Sequence, residues 1–441
     1  MTLTPDEAKK IVETILSASK AEAVRVSINS GQSANLRFAR NTVTTSGDSE
    51  DASVSMTSTF GRKSGSYSFN QFGGKTLLDA VRKSEELARL APDDPEYMPP
   101  IGPRQYADVK AYAESTSKLS PDFRASIAKE CIELSEGKKL TAAGFIENES
   151  TFRMFANSKD LRASHKSTGI SFSITARTTD GTGSGWASGG HNDSALLDGT
   201  SVSKTAIDKG MASVNPKTVE PGKYTVILEP EAVSNLLGNL VFSMDARSAD
   251  EGRSFFSEAG GLNKIGQKIF PDFVNLLSDP AYPDAPGSPW GEDGLPTTRT
   301  PWIENGVVKN LRTSRYWAQQ KNTTPVPFPG NTIMPGGTGS LDDLIASTDK
   351  GILVTRFWYI RGVDPKTVLL TGLTRDGTFW IEKGKIAYPI KNFRFNESPL
   401  AMLKNIEMIS KSVRLQNGGS ANLIPALKVK QFTFSSLSDA V

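Results

Sequence analysis

At 441 residues the chain exceeds one small domain, and with 37% hydrophobic residues it can fill the cores of two or three. Its 51 basic and 48 acidic side chains leave a net charge of +3, without the clustered basic excess of a nucleic-acid binder. One cysteine, Cys131, and two histidines, His165 and His191, exclude a disulfide framework, a cysteine-rich zinc ribbon and a three-histidine metal site. No apolar run approaches the roughly 18 residues of a membrane helix. The first residues, Met1 to Glu7, lead into a polar amphipathic helix instead of a cationic-then-apolar signal. The expectation is a soluble, reduced, cytoplasmic protein that binds neither membrane nor nucleic acid.

In chain order, Pro5 and Asp6 start a helix over residues 5–20, with Ile11, Val12, Ile15 and Leu16 on one face. Alternation of apolar and polar residues then predicts a strand at 23–28, two more strand-like stretches follow around 35–39 and 52–56, and a fourth, 64–68, is rich in small residues. A second helix carries Leu77, Leu78, Val81, Leu87 and Leu90, and the proline- and acid-rich stretch 91–100 is a loop or linker. A helix over 121–137 follows, with Phe123, Ile127, Cys131, Ile132 and Leu134. Downstream of it the text of the first half returns: Phe155 echoes Phe38, Ser171–Ile174 echoes Ser53–Met56, and Ser184–Ser188 echoes Ser64–Ser68. Either residues 23–90 and 143–210 are duplicated αβ halves, or the two share only strand composition.

A boundary falls near residues 215–222, dividing an N-terminal αβ domain, 1–218, from a β-rich C-terminal domain, 219–441: an α+β architecture. The second domain opens with a strand, Lys223–Leu228, running straight into a helix near Glu229 and Pro230. Its broad apolar stripe runs from Ala232 through Leu236 and Leu240 to Met244. Asn305-Gly306 and Lys383-Gly384, each between apolar-flanked segments, signal hairpins. Residues 424–434 read as a last strand.

Familiar catalytic templates are missing: there is no nucleophile elbow, Walker lysine or His-Glu-x-x-His. Close strand packing or a flexible edge accounts for Gly183-Ser-Gly185 better than a phosphate cradle. His165 sits among strand-forming residues with no second ligand at useful spacing. His191 lies in a polar loop, and Cys131 falls on the apolar stripe of its helix as a small buried hydrophobe.

The strand–helix junction Tyr224–Asn235 is more specific. It resembles the segment of the TldD/PmbA (TldE) family that carries the metallopeptidase motif His-Glu-x-x-x-His. Laid against that motif, the first histidine falls on Pro230, the glutamate on Glu231 and the second histidine on Asn235. The resemblance continues through 245–254, 291–306, 331–337, 341–344, 350–355 and 381–386, with Arg40-Asn41 near the start, and so covers essentially the whole chain. In catalytic members a cysteine near the C-terminus completes the site; here residues 417–422 (Asn-Gly-Gly-Ser-Ala-Asn) hold none.

The resemblance implies a non-catalytic TldE/PmbA-type subunit of a metallopeptidase complex that degrades or processes unfolded peptides. No metal is expected in this chain, zinc being held by a TldD-like partner or the chain pairing with itself. Pro230, Glu231 and Asn235 mark the degenerate motif. Glu231 without a metal-bound water has nothing to activate, and also reads as a first-turn acid favoured by the helix dipole. An extended peptide would run along a wall that includes Gly183, Gly185, Gly189 and His191 and the loop 325–337 with Asn331 and Pro335, backbone groups offering sequence-tolerant pairing. The alternative is a stand-alone peptide-binding or regulatory module, family members having been named modulators of DNA gyrase. A third reading, a hydrolase built on Asp245, Arg247, Asp250, Glu251 and Arg253, competes with a solvated helix end laced by ion pairs.

Overall fold

Strict alternation of apolar and small polar residues builds the first sheet. The computed structural model describes residues 2–327, 330–417 and 420–438. The N-terminal region runs α1 (Pro5–Ala18), β1 (Ala23–Ala39), β2 (Thr42–Phe60), β3 (Lys63–Phe69) and α2 (Gly74–Leu90). After the irregular stretch 91–113 come one-turn α3 (Glu114–Ser117), α4 (Pro121–Gly137), β4 (Leu140–Asn157), β5 (Arg162–Thr178), β6 (Ser184–His191) and α5 (Gly199–Ala212). The six strands form one antiparallel sheet in the order β3-β2-β1-β4-β5-β6. Two α-β-β-β-α units thus meet head to head through β1 and β4. Segments that echo each other in sequence lie on corresponding strands: Ser53–Met56 on β2 and Ser171–Ile174 on β5, Ser64–Ser68 on β3 and Ser184–Ser188 on β6.

Each unit buries the apolar phase of its strands beneath its own helices. In the first, Val24, Val26, Ile28, Val54 and Met56 pack against Ile11 and Ile15 of α1 and Leu77 and Val81 of α2. In the second, Ile146, Phe172 and Ile174 pack against Ile127 and Cys131 of α4 and Ala206 and Ile207 of α5. Full burial of such side chains stabilises the fold by about 1.5–3 kcal/mol each. The start of α1 is set by Thr4, which makes a capping box with Glu7, and by Pro5 in the first turn.

Two sequence expectations are corrected here. Residues 23–28 and 35–39 are not separate strands: β1 is continuous, because β2 and β4 both pair with it through Gly31. At that crossing a Cβ on Gly31 would lie 2.8 Å from the Ser150 carbonyl oxygen. His191 is not in a loop but ends β6.

The C-terminal region opens with β7 (Gly222–Leu228), α6 (Pro230–Ser243) and α7 (Ala246–Asp250). Short β8 (Ser257–Glu258), β9 (Leu262–Asn263), β10 (Leu276–Ser278), β11 (Thr300–Glu304) and β12 (Val307–Val308) follow, then α8 (Arg315–Lys321) and α9 (Leu341–Ala346). The remainder is β13 (Lys350–Asp364), β14 (Leu369–Glu382), β15 (Lys385–Pro389), β16 (Phe393–Glu397), α10 (Pro399–Lys404), β17 (Ile406–Ile409), β18 (Val413–Asn417), β19 (Ser420–Ile424) and β20 (Leu427–Leu437). Pairing runs β13-β7-β20-β16-β14 and returns from β14 to β13, closing a five-stranded barrel. Only the β7–β13 pair is parallel within it. Both signalled hairpins form, with Asn305-Gly306 and Lys383-Gly384 all at positive φ.

β7 is covered on both faces. Val226 and Leu228 join the α6 core, while Ile227 packs outward against Leu344 and Ile345 of α9. No helix among the described residues is long and apolar enough to cross a membrane.

Candidate functional site

The chain leaves β7 at Glu229, the N-cap of α6, with Pro230 in the first turn. The backbone N–H of Glu229 donates to the Val354 carbonyl at 3.0 Å. Its carboxylate takes Lys209 Nζ at 2.6 Å and Thr355 Oγ1 at 3.2 Å, so the N-cap ties α5, β13 and α6 together. Glu231 and Asn235 lie one helical turn apart and touch. Asn235 Nδ2 donates to Glu231 Oε1 at 3.1 Å, and Asn235 Oδ1 accepts from the Phe357 backbone N–H at 3.2 Å. Burial pushes the Glu231 carboxyl above its ordinary range, against the Asn235 hydrogen bond and the positive charge of Arg356.

Arg356 comes from β13 and lies 4.5 Å over the Trp186 ring of β6. Its Nε donates to Asp376 Oδ2 at 3.0 Å, and a second guanidinium nitrogen bonds the same oxygen. Asp376 is fully buried, at φ 56°, and also accepts Ser184 Oγ on its other oxygen at 2.5 Å. The junction of β7 and α6 is therefore bordered by a charged seam between the barrel and the β5–β6 side of the first sheet.

A catalytic zinc takes three protein ligands of nitrogen, sulfur or oxygen type plus an open position. Pro230 has no donor atom, both ends of the Asn235 amide are engaged, and the guanidinium of Arg356 is the charge that Glu231 senses. One carboxylate beside a fixed cation does not fit such an ion. Among the described residues, no three His, Cys, Asp or Glu side chains gather as a ligand set.

Other residues singled out in the sequence fall into two groups. Gly183 and Gly185 lie where α5 crosses β6; a Cβ on Gly185 would lie 2.2 Å from the Ala206 carbonyl, and one on Gly183 2.5 Å from that of Gly210. Their backbone is packed against a helix. Gly189 faces Val202 of the same helix. His191, by contrast, adjoins the β18–β19 hairpin. Its Nδ1 accepts from the Asp193 N–H at 3.0 Å, and burial and Arg414 lower its pKa. A Cβ on neighbouring Gly190 would lie 2.6 Å from Gln416 of β18. The segment around Asn331 runs along the other strand of that hairpin, Ile333 bridging Leu423. Asn331 is buried and holds the 279–285 turn through Asp279 and Ala285, while Pro335 is exposed. Residues 328–329 of the proline-rich loop and 418–419 of the 417–422 stretch lie outside the described residues.

The charged run after α6 is a network of ion pairs. Asp245 caps α7 and pairs with Arg312 at 3.1 Å, and Arg247 joins Glu251 and Glu96, both at 2.9 Å. His165 is half-buried beside Trp290, its ring edge-on at 6.2 Å, and desolvation then Arg153 push its pKa down to about 4.

Sequence reasoning missed Arg356, Asp376 and Trp186, and it missed the helix-free face of the first sheet. On that face Ser27 pairs with Ser55, Asn29 with Ser53 and Ser33 with Ser49. The signal was present as the polar phase of the same alternation that marked the core. At one end of this face a cavity of about 580 Å³ opens toward the C-terminal region, lined by Arg25, Ser27, Thr57, Ser66, Asp293 and Arg315 among others. Asp293 bonds both Arg25 and Arg315 there, the latter at 3.2 Å.

The PmbA/TldA metallopeptidase C-terminal domain matches residues 221–436, the central domain 114–214 and domain 1 24–88. The chain belongs to the PmbA/TldD family. Its PmbA/TldD relatives include the metalloprotease PmbA of Escherichia coli O157:H7, 22% identical over 438 residues, 94% of this chain and 91% of that one. A PmbA homologue of Buchnera aphidicola is 29% identical over 202 residues, and the match spans 44% of either chain. In fold, the PmbA/TldD chain superimposes on TldE of Thermococcus kodakarensis with a TM-score of 0.85 at 17% identity, covering 97% of this chain and all of that one.

Proposed function

We propose that this chain is the non-catalytic, TldE/PmbA-like subunit of a metallopeptidase complex that processes unfolded peptides. The reading rests on one observation: the junction of β7 and α6 presents Pro230, a half-buried Glu231 and an Asn235 whose amide is hydrogen-bonded at both ends. In this role the chain holds no metal. Zinc belongs to a TldD-like partner, in a hetero-oligomer or an assembly that also contains self-pairs, within the cytoplasm. The hydroxyl- and amide-lined face of the first sheet then serves as a wall of the peptide channel. Short polar side chains and no helical cover let an extended main chain approach without selecting for sequence.

Capture of tagged chain from its native host, with metal analysis of the isolated chain and of the complex, tests the proposal. The expected outcome is a metal-bearing relative in the complex, zinc and peptide hydrolysis in the complex, and neither in the chain alone. Stoichiometric zinc with peptide cleavage by the isolated chain would refute it. Peptide binding with no metal-bearing partner captured would favour the stand-alone module.

A further inference from the structure

The outer edge of the first sheet is open along more than half of β2. β3 pairs with β2 only over Val54–Phe60, so from Thr42 to Ser53 β2 is paired on its β1 side alone among the described residues. Residues 42–51 are exposed throughout, and the open stretch holds no proline. A bulge at Thr44 ends the regular ladder near the turn, leaving Thr45–Ser53 in unbroken register with β1. Native sheets blunt edges of this length with prolines, covering elements or charges, because unpaired main-chain groups invite another strand.

The far side of β1 fixes which groups are unpaired. The Ser158 N–H donates to the Val24 carbonyl at 2.9 Å, so even-numbered residues of β1 bond toward β4 and odd-numbered ones toward β2. Gly47, Ser49 and Asp51, opposite Asn35, Ser33 and Gly31, therefore engage β1, while Ser46, Asp48 and Glu50 aim their N–H and C=O groups outward. The side chains of the two acids do not cover these groups: Asp48 is drawn to Arg124 of α4 at 2.6 Å, and Glu50 accepts from Gln32 of β1 at 3.0 Å.

Charge selects the occupant. Between Arg40 and Arg62 the chain carries Asp48, Glu50 and Asp51 and no lysine or arginine. Arg124 offsets one of these charges, and Asp51 is exposed. Two copies of this chain paired antiparallel over Thr45–Ser53 would set Asp48 against Glu50, and like charges directly opposite destabilise a strand pair. A segment bearing lysine or arginine meets no such repulsion. We propose that the outer edge of β2, centred on Ser46, Asp48 and Glu50, binds an extended basic segment of the peptide in the channel as an added strand. This rests on the reading above that a peptide runs along the sheet face to which β2 belongs.

Fluorescence anisotropy with the full chain, alone and in its copurified complex, tests it with three labelled strand-forming peptides. One carries two lysines, the second has glutamates in their place, and the third is the lysine peptide N-methylated at two adjacent central residues, one N–H from each edge. The lysine peptide is expected to bind about fivefold more tightly than its glutamate counterpart, the scale of an exposed ion pair. N-methylation should weaken it about tenfold, the scale of one or two main-chain hydrogen bonds. Ser46→Pro, which removes an outward N–H without touching the β1 ladder, should cause a similar loss, with thermal melting to verify the fold. Asp51→Asn should cut the lysine preference to about twofold. Unweakened binding of the N-methylated peptide, or of the lysine peptide by a folded Ser46→Pro, overturns strand addition at this edge. Equal binding of the lysine and glutamate peptides overturns the basic occupant, and a dimer in sedimentation that Ser46→Pro abolishes would give the edge to a second copy instead. Each of these results leaves the channel reading standing. No binding of any peptide by chain or complex overturns both.

Discussion

The two halves of the first sheet are built alike and used differently. Each buries an apolar strand phase under two helices, and each presses an edge-strand glycine against its closing helix. A Cβ on Gly65 would lie 2.2 Å from the Ala88 amide nitrogen of α2, and one on Gly185 2.2 Å from the Ala206 carbonyl of α5. On the opposite face they part. The β4–β6 half meets the C-terminal region at Trp186, Gly190 and His165, through Arg356, Gln416 and Trp290. The β1–β3 half leaves Asn29, Ser33, Ser49 and Asp51 open to solvent. The helix-facing side supplies stability common to both units, and what covers the other side decides whether a unit is a docking platform or an open wall.

Four measurements would break or sharpen this contrast. The largest effect is expected at Phe172, fully buried beneath α4 and α5: Phe172→Ala should cost about 3–5 kcal/mol in denaturant unfolding. Next, Gly65→Ala and Gly185→Ala should each cost about 1–3 kcal/mol by forcing a helix off its strand. Unequal costs would show that the halves are not mechanically equivalent.

The third concerns acid. His165 has a folded pKa of about 4, below its ordinary 6.5. Its contribution to stability is complete above the ordinary value and is lost as pH falls through that window. The slope should reach about 1.4 kcal/mol per pH unit, and His165→Gln should remove it. The smallest change is expected on the open wall, where Ser33→Ala should shift stability by no more than about 0.5 kcal/mol. A larger loss would mean that the wall is part of the fold's support.

Much of this was legible in the sequence because local chemistry decided it. Strand-like patterning marked β2, the echo of first-half segments marked β5 and β6, Pro5 and Pro121 marked helix starts, and Asn305-Gly306 and Lys383-Gly384 supplied the left-handed residues that tight hairpins need. β1 was split in expectation into 23–28 and 35–39, whereas pairing on both edges carries the strand through the polar residues between them. The Arg356–Asp376–Ser184 seam was out of reach, since Ser184 and Asp376 are 192 positions apart and only the docking of barrel on sheet joins them. Gly183 and Gly185 stood out as glycines, but composition alone does not tell a backbone offered to a ligand from one pressed against a helix.

Cys131 is the only thiol in the chain. It is sealed on the sheet-facing side of α4, and burial pushes its pKa up to about 11. At neutral pH almost none of it is thiolate, so maleimide reagents should pass it by. A substitution such as Ser49→Cys on the open face would then create the sole addressable handle, without first deleting a native cysteine. A fluorophore or spin label placed there would report how far that wall stands from whatever comes to face it.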